Sequence, residues 1–279
     1  MTTFLFWNLM GNATATWAAR SATLRSHIAQ MAASFGVDVF LFVESGFDVA
    51  DLVAALNRAG AGRYCAPPSA NERIQIFTRF DPSALTRRYD SEDDRLTIRN
   101  LTTTTTKILL GVIHFQSQAY WTPAEQAAEA QAMRKNIDEE EDLAGHRQTV
   151  LVGDFNMNPF DHGLVLAQAF GAVMTRELAT PGERRVANRE YRLFYNPMWG
   201  YLGDRTPGPP GTYYYSASNP LTYYWNTFDQ VLLRPSLMNT LAELQILDTD
   251  GKTSLLTRSG KPRKADVSDH LPILFRLDI

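Results

Sequence analysis

Eight polar residues fall within or at the ends of segments whose composition predicts buried strands. These residues are Asn8, Glu44, His114, Asp154, Asn156, Asp229, Asp269 and His270. A charged side chain at such a place must be paired or bound to a metal, because bare burial costs several kcal/mol. Carboxylate and amide oxygens without a cysteine cluster suit Mg²⁺ or Mn²⁺ better than zinc. The pattern therefore predicts a metal-dependent site built at several strand ends.

Short runs of apolar, β-branched and aromatic residues predict the strands that carry these side chains. The predicted strands are 3–9, 37–43, 73–79, 96–101, 107–115, 149–152, 228–233, 242–247 and 271–277. Because ligands bind beyond strand ends in layered α/β folds, we expect the polar residues to converge.

Helical periodicity predicts three helices, at about 17–34, 49–58 and 123–143. Pro123 suits the first position of the third helix, and Gly60 follows the second. From about 175 to 225 the pattern becomes irregular, with Pro, Gly, Arg and Tyr concentrated together. We expect one domain over residues 1–279 with an irregular Arg/Tyr-rich insertion in this region.

Composition limits the class of protein. The 279 residues are 44% hydrophobic and 20% charged, which predicts a globular protein rather than a disordered one. No apolar run reaches the ~18 residues that span a bilayer, and no signal peptide is evident. With the single Cys65, this favours a cytoplasmic protein without a membrane partner. The net charge of −3 argues against a protein that coats nucleic acid by charge, but not against a nuclease.

Six short motifs follow one another along the chain: Phe6-Trp7-Asn8, Phe42-Val43-Glu44, Val112-Ile113-His114, Gly153-Asp154-Phe155-Asn156, Phe228-Asp229 and Ser268-Asp269-His270. In this order they resemble the motifs of the endonuclease/exonuclease/phosphatase superfamily. That group includes deoxyribonuclease I, abasic-site endonucleases, inositol polyphosphate 5-phosphatases and neutral sphingomyelinases. The resemblance implies an α/β (α+β) fold of four layers, with two mixed β-sheets face to face and helices on the outer faces.

The resemblance also implies a role for each polar residue. Glu44 matches the principal metal-ligand carboxylate, with Asn8 and Asp269 nearby, and the metal is expected to be Mg²⁺ or Mn²⁺. Asp154 would orient or deprotonate the attacking water, and Asn156 would hold water or a phosphate oxygen.

Two histidine–carboxylate pairs are expected from the same resemblance. His270 matches the histidine that contacts the scissile phosphate, and Asp229 the carboxylate that fixes its tautomer. His114 is typical of deoxyribonuclease I-like members, which also carry a Glu seven residues before an Arg; Glu72 precedes Arg79 by seven. Glu72 is therefore the expected partner of His114.

The insertion interleaves cations with aromatic rings. Arginines that pair with phosphates and rings that stack on bases would make it a substrate surface, and a packed aromatic loop is the alternative. The candidate substrate-binding residues are Arg184, Arg185, Arg189, Arg192, Tyr191 and Trp199. The chain departs from the family just after the metal glutamate, where Ser45-Gly46-Phe47 leaves no basic side chain for a substrate contact.

The leading functional prediction is a metal-dependent nuclease that hydrolyses DNA or RNA by in-line attack of water. A phosphatase or phospholipase acting on inositol phosphates or sphingomyelin shares the same catalytic core and stays open. A catalytically silent member that binds nucleic acid or protein is the third possibility. His27, His146 and His162 lie outside the motifs and are predicted to be surface or helix residues.

Overall fold

A computed structural model describes residues 1–11, 14–60, 62–216 and 221–279. The described strands, in chain order, are β1 Thr2–Asn8, β2 Val39–Val43, β3 Ile74–Thr78, β4 Leu85–Asp90, β5 Leu96–Thr102, β6 Lys107–His114, β7 Thr149–Asp154, β8 Ala172–Val173, β9 Glu183–Val186, β10 Arg189–Arg192, β11 Phe194–Tyr195, β12 Tyr213–Tyr214, β13 Trp225–Asn226, β14 Asp229–Leu233, β15 Leu241–Ile246 and β16 Ile273–Leu277. The helices are α1 Thr14–Phe35, α2 Val49–Arg58, α3 Pro123–Ala144, α4 His162–Val165 and α5 Arg176–Ala179.

The large strands form two mixed sheets. The first has the order β15-β16-β1-β2-β3, and the second has the order β4-β5-β6-β7-β14-β11-β8. β1 and β2 run parallel, as do β6 and β7, whereas β14 and β16 run antiparallel to β7 and β1. Two short hairpins, β9–β10 and β12–β13, stand apart from both sheets.

Side chains alternate between the two faces of each strand, and this divides the core into layers. In β7, Val150 and Val152 pack into the apolar core shared with the first sheet, while Leu151 faces the opposite way. Leu151 packs with Met133 and Ile137 of α3, which cover the outer face of the second sheet. α1 and α2 pack on the first sheet through the same large core. Successive side chains of a strand point to opposite faces, so a strand of this kind holds two apolar layers apart. The predicted four-layer fold is confirmed.

Local signals set the ends of α3. Thr122 accepts the Glu125 backbone N–H while the Glu125 carboxylate accepts that of Thr122, and Pro123 occupies the first turn. Gly145 ends the helix with φ +72°, a left-handed conformation that glycine adopts without strain. The predicted start at Pro123 is thus confirmed. Among the described helices, none is long and apolar enough to cross a membrane.

The sheet topology gathers the polar strand ends at one edge. Asn8 and Asp154 are the last residues of β1 and β7, and His114 is the last residue of β6. Because β14 runs antiparallel to β7, its first residue, Asp229, pairs directly with Asp154. β16 likewise begins beside the end of β1, which brings the preceding His270 to the same edge.

The strands that sequence patterning did not predict are polar or very short. β4 has a single buried residue, Leu85, and forms the edge of the second sheet. Four of the six short strands β8–β13 lie within the irregular region 175–225; β8 lies just before it, and β13 begins at its last residue. Apolar periodicity cannot reveal such strands, because they bury too little surface to need it.

Candidate active site

Seven of the eight predicted polar residues line one cleft of about 520 Å³ at this edge of the two sheets. The eighth, Asp229, is fully buried beneath His270. The backbone supports a functional reading: Glu44 and Asn156 have φ of +49° and +48°, in the left-handed region that non-glycine residues avoid. Strain of this kind persists at functional sites because the surrounding structure holds it.

His270 is held by Asp229 and faces Asp154. Its Nδ1 lies 2.8 Å from Asp229 Oδ2, and its Nε2 lies 4.0 Å from Asp154 Oδ2. Burial opposes protonation of His270, but the charge and hydrogen bond of Asp229 outweigh it and raise the pKa to about 10. At neutral pH His270 is therefore an imidazolium whose free nitrogen points into the cleft.

The dyad is braced from the adjacent strand segment at Thr212. The Thr212 hydroxyl accepts the Asp229 backbone N–H at 3.1 Å, and the Thr212 carbonyl accepts the N–H of Leu271 at 2.8 Å. The Trp7 indole donates to the His270 carbonyl at 2.8 Å. These contacts fix the backbone on both sides of the His270–Asp229 pair.

Asp154 sits between two amide donors. Asn8 Nδ2 donates to its Oδ2, and the Asn156 backbone N–H donates to its Oδ1, each at 2.9 Å. Burial raises the Asp154 pKa to about 6, against the opposing charge of His270, and Asp229 adds to the rise. A carboxylate with this pKa is ionised at neutral pH yet basic enough to take a proton from water. Gly153 precedes it because a Cβ there would lie 2.0 Å from the Ile113 carbonyl oxygen.

Glu44 contacts the second histidine of the cleft. Glu44 Oε1 lies 3.2 Å from His114 Nε2. Burial favours the protonated form of Glu44, but the hydrogen bond and charge of His114 prevail, with help from His270 and Asn8, and hold the pKa of Glu44 below its usual value. The carboxylate facing the cleft is therefore ionised, as a metal ligand must be.

The predicted pair of Glu72 with His114 is wrong. Glu72 is exposed, and the buried Nδ1 of His114 has no hydrogen-bond partner among the described residues. The carboxylate near His114 belongs to Glu44 instead. The left-handed backbone at Glu44 turns its side chain toward β6, a direction that residue spacing cannot reveal. Glu72 remains a proposed catalytic residue only by its motif.

The donor set fits a small hard cation. Glu44 and Asp269 bring carboxylates to the cleft, and Asn8 brings an amide oxygen that accepts the Met10 N–H at 2.9 Å and keeps a second lone pair. One oxygen of Asp269 is paired with Lys264 Nζ at 3.0 Å, which leaves the other. Mg²⁺ binds through one or two carboxylates and retains several waters, so this set is sufficient.

A second arrangement of possible ligands overlaps the dyad. Single ligand atoms of Asp154, Asp229 and His270 lie within 4.8 Å of one another. We assign this group to proton chemistry rather than to a metal, because Asp229 Oδ2 and the Nδ1 of His270 already pair with each other. The carboxylates of Glu44 and Asp269 are more accessible, with side chains 21% and 14% exposed.

Other cleft residues were not predicted as site residues. Arg73 and Arg95 line it, and Arg95 Nη1 donates to the His114 carbonyl at 3.0 Å. Burial, followed by the charge of Arg73, lowers the Arg95 pKa. An anion bound between the two arginines would therefore stabilise both positive charges. Arg73 lies between Glu72 and Arg79 without being a residue of that motif, and Arg95 lies in no motif, so only the approach of β3 and β5 to the cleft identifies them.

The arginine-rich part of the insertion lies elsewhere. Hairpin β9–β10 lies near the start of β7, where Arg147 pairs with Glu183, whereas Asp154 is at the end of β7. Arg192 is committed to Glu141 and Asp142 of α3. None of the six predicted substrate-binding residues is among the described residues that line the cleft: Arg184, Arg185, Arg189, Tyr191, Arg192 and Trp199.

That substrate-binding prediction is therefore corrected. The insertion contacts both ends of the second sheet. Among its described residues, those that line the cleft lie in its later part, near β12 and β13. Ser45 does not face substrate either: its hydroxyl donates to Gln75 Oε1 at 2.7 Å.

The three histidines outside the motifs are not in the cleft. His162 is exposed and His146 half-buried, as expected. His27 lies in α1 but is buried, with Nδ1 2.7 Å from Asp250 Oδ2. The pair fastens the loop after β15 to α1.

A sequence profile of the endonuclease/exonuclease/phosphatase family matches residues 5–270. This chain belongs to that family. No curated protein sequence matches the chain. Among solved structures, an endonuclease/exonuclease/phosphatase family protein from Leptotrichia buccalis is 15% identical, with a TM-score of 0.59 and 100% of both chains covered. Humanized D. rerio TDP2 is 16% identical, with a TM-score of 0.57 over 100% of this chain and 99% of the other. An AP endonuclease from Archaeoglobus fulgidus is 13% identical, with a TM-score of 0.55 and both chains covered completely.

At these identities the likeness concerns the fold. The chain belongs to the endonuclease/exonuclease/phosphatase family, and its neighbours in structure include TDP2 and an AP endonuclease. Nucleases of the family generally use divalent metals. The carboxylates of Glu44 and Asp269 and the amide oxygen of Asn8 are suitable ligands for such a metal.

Proposed function

We propose that this family member is a Mg²⁺- or Mn²⁺-dependent nuclease that hydrolyses a phosphodiester by in-line attack of water. The observation that carries the proposal is the His270–Asp229 pair facing Asp154 across 4.0 Å, with ionised Glu44 in the same cleft. A phosphoryl group held in the cleft beside this pair would meet the cation of His270 and the base Asp154.

Asp154 is proposed to take a proton from the attacking water. The water oxygen forms the new bond to phosphorus, and the ester bond to the sugar oxygen breaks. His270, charged through Asp229, stabilises the negative charge that develops on the phosphoryl oxygens. His114 lines the same cleft at the end of the neighbouring strand, and it is proposed to give the leaving oxygen its proton.

The metal would be held by Glu44, with Asp269 and Asn8 beside it. When bound, it would supply Lewis-acid stabilisation of the phosphoryl oxygens. Asn156 is fixed at the mouth of the site by its Nδ2, which donates to the Phe115 carbonyl at 3.0 Å. Its role is to orient water or a phosphate oxygen.

Nucleic acid is favoured as the substrate by two features. Arg73 and Arg95 also line the cleft, and they could pair with a second phosphate of a polymer. D. rerio TDP2, a structural neighbour at 16% identity and a TM-score of 0.55, has been solved with single strand DNA product. A substrate with a single phosphate would leave those two arginines without an anionic partner.

A substrate panel tests the proposal. Wild type is incubated with supercoiled DNA, single-stranded DNA, RNA, an inositol polyphosphate and sphingomyelin, with Mg²⁺ or Mn²⁺. Asp154→Asn keeps the shape that Asn8 and Asn156 contact, and Asp248→Asn, at an exposed acid outside the cleft, is the matched control. We expect nucleic acid cleavage by wild type and the control but not by Asp154→Asn. Release of phosphate or phosphocholine without cleavage of any nucleic acid would assign the chain to the phosphatase or phospholipase branch.

A further inference from the structure

One side of the cleft is built from aromatic rings. It comprises Tyr213, Tyr215, Tyr223, Tyr224 and Phe228, which we call the aromatic wall. Three of these rings are unusually open to solvent: Tyr215 is 47%, Tyr223 44% and Tyr224 48% exposed. A cluster of exposed large rings beside a catalytic centre marks a surface that binds something apolar and flat.

The wall starts at the catalytic dyad and leads away from it. The Tyr213 ring lies 4.7 Å from the His270 ring, and Phe228 stacks on Tyr213 at 5.4 Å. Tyr215 follows at 6.4 Å from Tyr213, with the two ring planes only 15° apart. The Tyr215 ring is thus nearly parallel to Tyr213, the ring nearest the dyad, and flat groups attached to a phosphate chain would meet these two rings in succession.

The fold holds the outer rings in place at a cost. Tyr224 has φ +53°, which is strained for a bulky residue. The Tyr215 N–H donates to the Tyr224 carbonyl at 2.9 Å, so the two segments of the wall are tied together. Because strain persists where the structure enforces it, the position of this ring is a fixed feature of the cleft.

The charges that line the cleft do not favour a duplex as the substrate. Beyond the imidazolium of His270, Arg73 and Arg95 are the cations among the described lining residues, whereas Glu44, Asp154 and Asp269 are acidic. The whole chain has a net charge of −3. Duplex binders depend on many phosphate contacts, and in a duplex the base faces are already stacked and covered. Unpaired nucleotides expose both faces, which rings can stack upon at little electrostatic expense.

We propose that the aromatic wall makes this enzyme select unpaired nucleotides, with bases stacking on Tyr215, Tyr223 and Tyr224 while the backbone follows Arg73 and Arg95. This inference rests on the proposed nuclease function and names its substrate class as single-stranded nucleic acid. Specificity then comes from the geometry of the rings rather than from reading base edges.

The test compares Tyr215→Ala and Tyr224→Ala with Tyr215→Phe, which keeps the ring, and with Tyr191→Ala, a tyrosine of hairpin β9–β10 outside the cleft. The measured quantity is kcat/KM on a single-stranded oligonucleotide divided by that on a small aryl nucleotide diester. Each alanine variant of the wall is expected to lower this ratio by roughly 5- to 150-fold. Tyr215→Phe and Tyr191→Ala are expected to leave it within about twofold.

Substrates with a single abasic residue, moved stepwise along the strand, provide a second readout. At one position the abasic substitution should slow wild type, while Tyr215→Ala should lose nothing further, because the ring and the base it contacts form one interaction. Binding of single strands by Asp154→Asn should also show a shallow salt dependence, with a log–log slope of about −1.4 for two phosphate contacts.

The outcomes separate this inference from the proposed function. If wild type cleaves nucleic acid but duplex and single strand equally well, and the ratio for Tyr215→Ala matches wild type, the wall has no such role. A salt slope steeper than about −4 would likewise contradict it, since phosphates would then dominate binding. If wild type cleaves no nucleic acid at all, the nuclease proposal itself fails.

Discussion

Replacing Asp229 with asparagine separates charge from shape at the centre of the site. Asp229 is fully buried, and its Oδ2 lies 2.8 Å from His270 Nδ1. The charge and hydrogen bond of Asp229 raise the pKa of His270 to about 10 against the effect of burial, which corresponds to about 5 kcal/mol in favour of the charged ring. Because burial alone would lower this pKa, Asp229→Asn is expected to return it to about 6.5 or below.

The expected loss of activity follows from that shift. At pH 7.5 a histidine with a pKa near 6.5 is about one-tenth protonated, which accounts for about a tenfold loss. Loss of the fixed ring orientation adds to it, so kcat/KM should fall by about 10²- to 10⁴-fold in total. The assay is metal-supported hydrolysis of single-stranded DNA from pH 6 to 9, with Asp248→Asn as the control for a lost surface charge.

The pH dependence provides the refutation. Asp154, with a pKa of about 6, loses its ionised form in the wild type and in Asp229→Asn alike as pH falls. The quantity to follow is therefore kcat/KM of the variant divided by kcat/KM of the wild type. That ratio should rise by several-fold toward pH 6, where the variant regains protonated His270. A flat ratio, or activity within threefold of wild type at pH 7.5, would show that the imidazolium is not needed.

The free energy of unfolding should also depend on the positive charge of His270. Since the folded-state pKa of His270 lies above its ordinary value, its contribution to the free energy of unfolding is complete below about pH 6.5 and disappears as pH rises through about 10. Urea unfolding of the metal-free protein at pH 6 and pH 10 measures this. Asp229→Asn should lose more stability at the lower pH than at the higher one; the reverse order would contradict the assignment.

Three further predictions concern the metal, the insertion and the sheet. Glu44→Gln should abolish Mg²⁺ binding measured by calorimetry, because the ionised carboxylate is the principal ligand proposed; unchanged binding would move the metal elsewhere. Arg184→Ala with Arg189→Ala should leave kcat/KM within about twofold, since hairpin β9–β10 is outside the cleft, and a tenfold loss would restore the substrate-binding role first expected of it. Gly153→Ala should destabilise the fold by about 1–3 kcal/mol in urea, because its Cβ would lie 2.0 Å from the Ile113 carbonyl oxygen; wild-type stability would mean that β6 and β7 separate at no cost.

Much of the fold can be predicted from local signals in the sequence. Thr122, Pro123 and Gly145 mark the two ends of α3 by capping chemistry that depends on a few neighbouring residues. The buried strands are visible because segments such as 149–152 must be apolar on both faces. By contrast, β4 is an edge strand with one buried residue, and its existence depends on β5 beside it rather than on its own composition.

The candidate site divides in the same way. Asp154 and His270 were identifiable because a strong polar residue at the end of a buried strand demands a partner or a function. The partner of His114 was not identifiable, since it depends on the left-handed backbone at Glu44. Arg95 and the aromatic wall carry no motif and enter the site only because distant segments fold beside it.

By itself the sequence determined which residues carry the chemistry, the strands that end in them and the family to which the chain belongs. Those properties are local, since they follow from residue type, periodicity and order along the chain. Tertiary structure alone decided that Glu44 rather than Glu72 lies against His114, and that the tyrosines rather than the arginines of the insertion line the cleft. The physical reason is that side-chain partners depend on sheet order and backbone direction between segments far apart in sequence, and residue spacing carries no information about either.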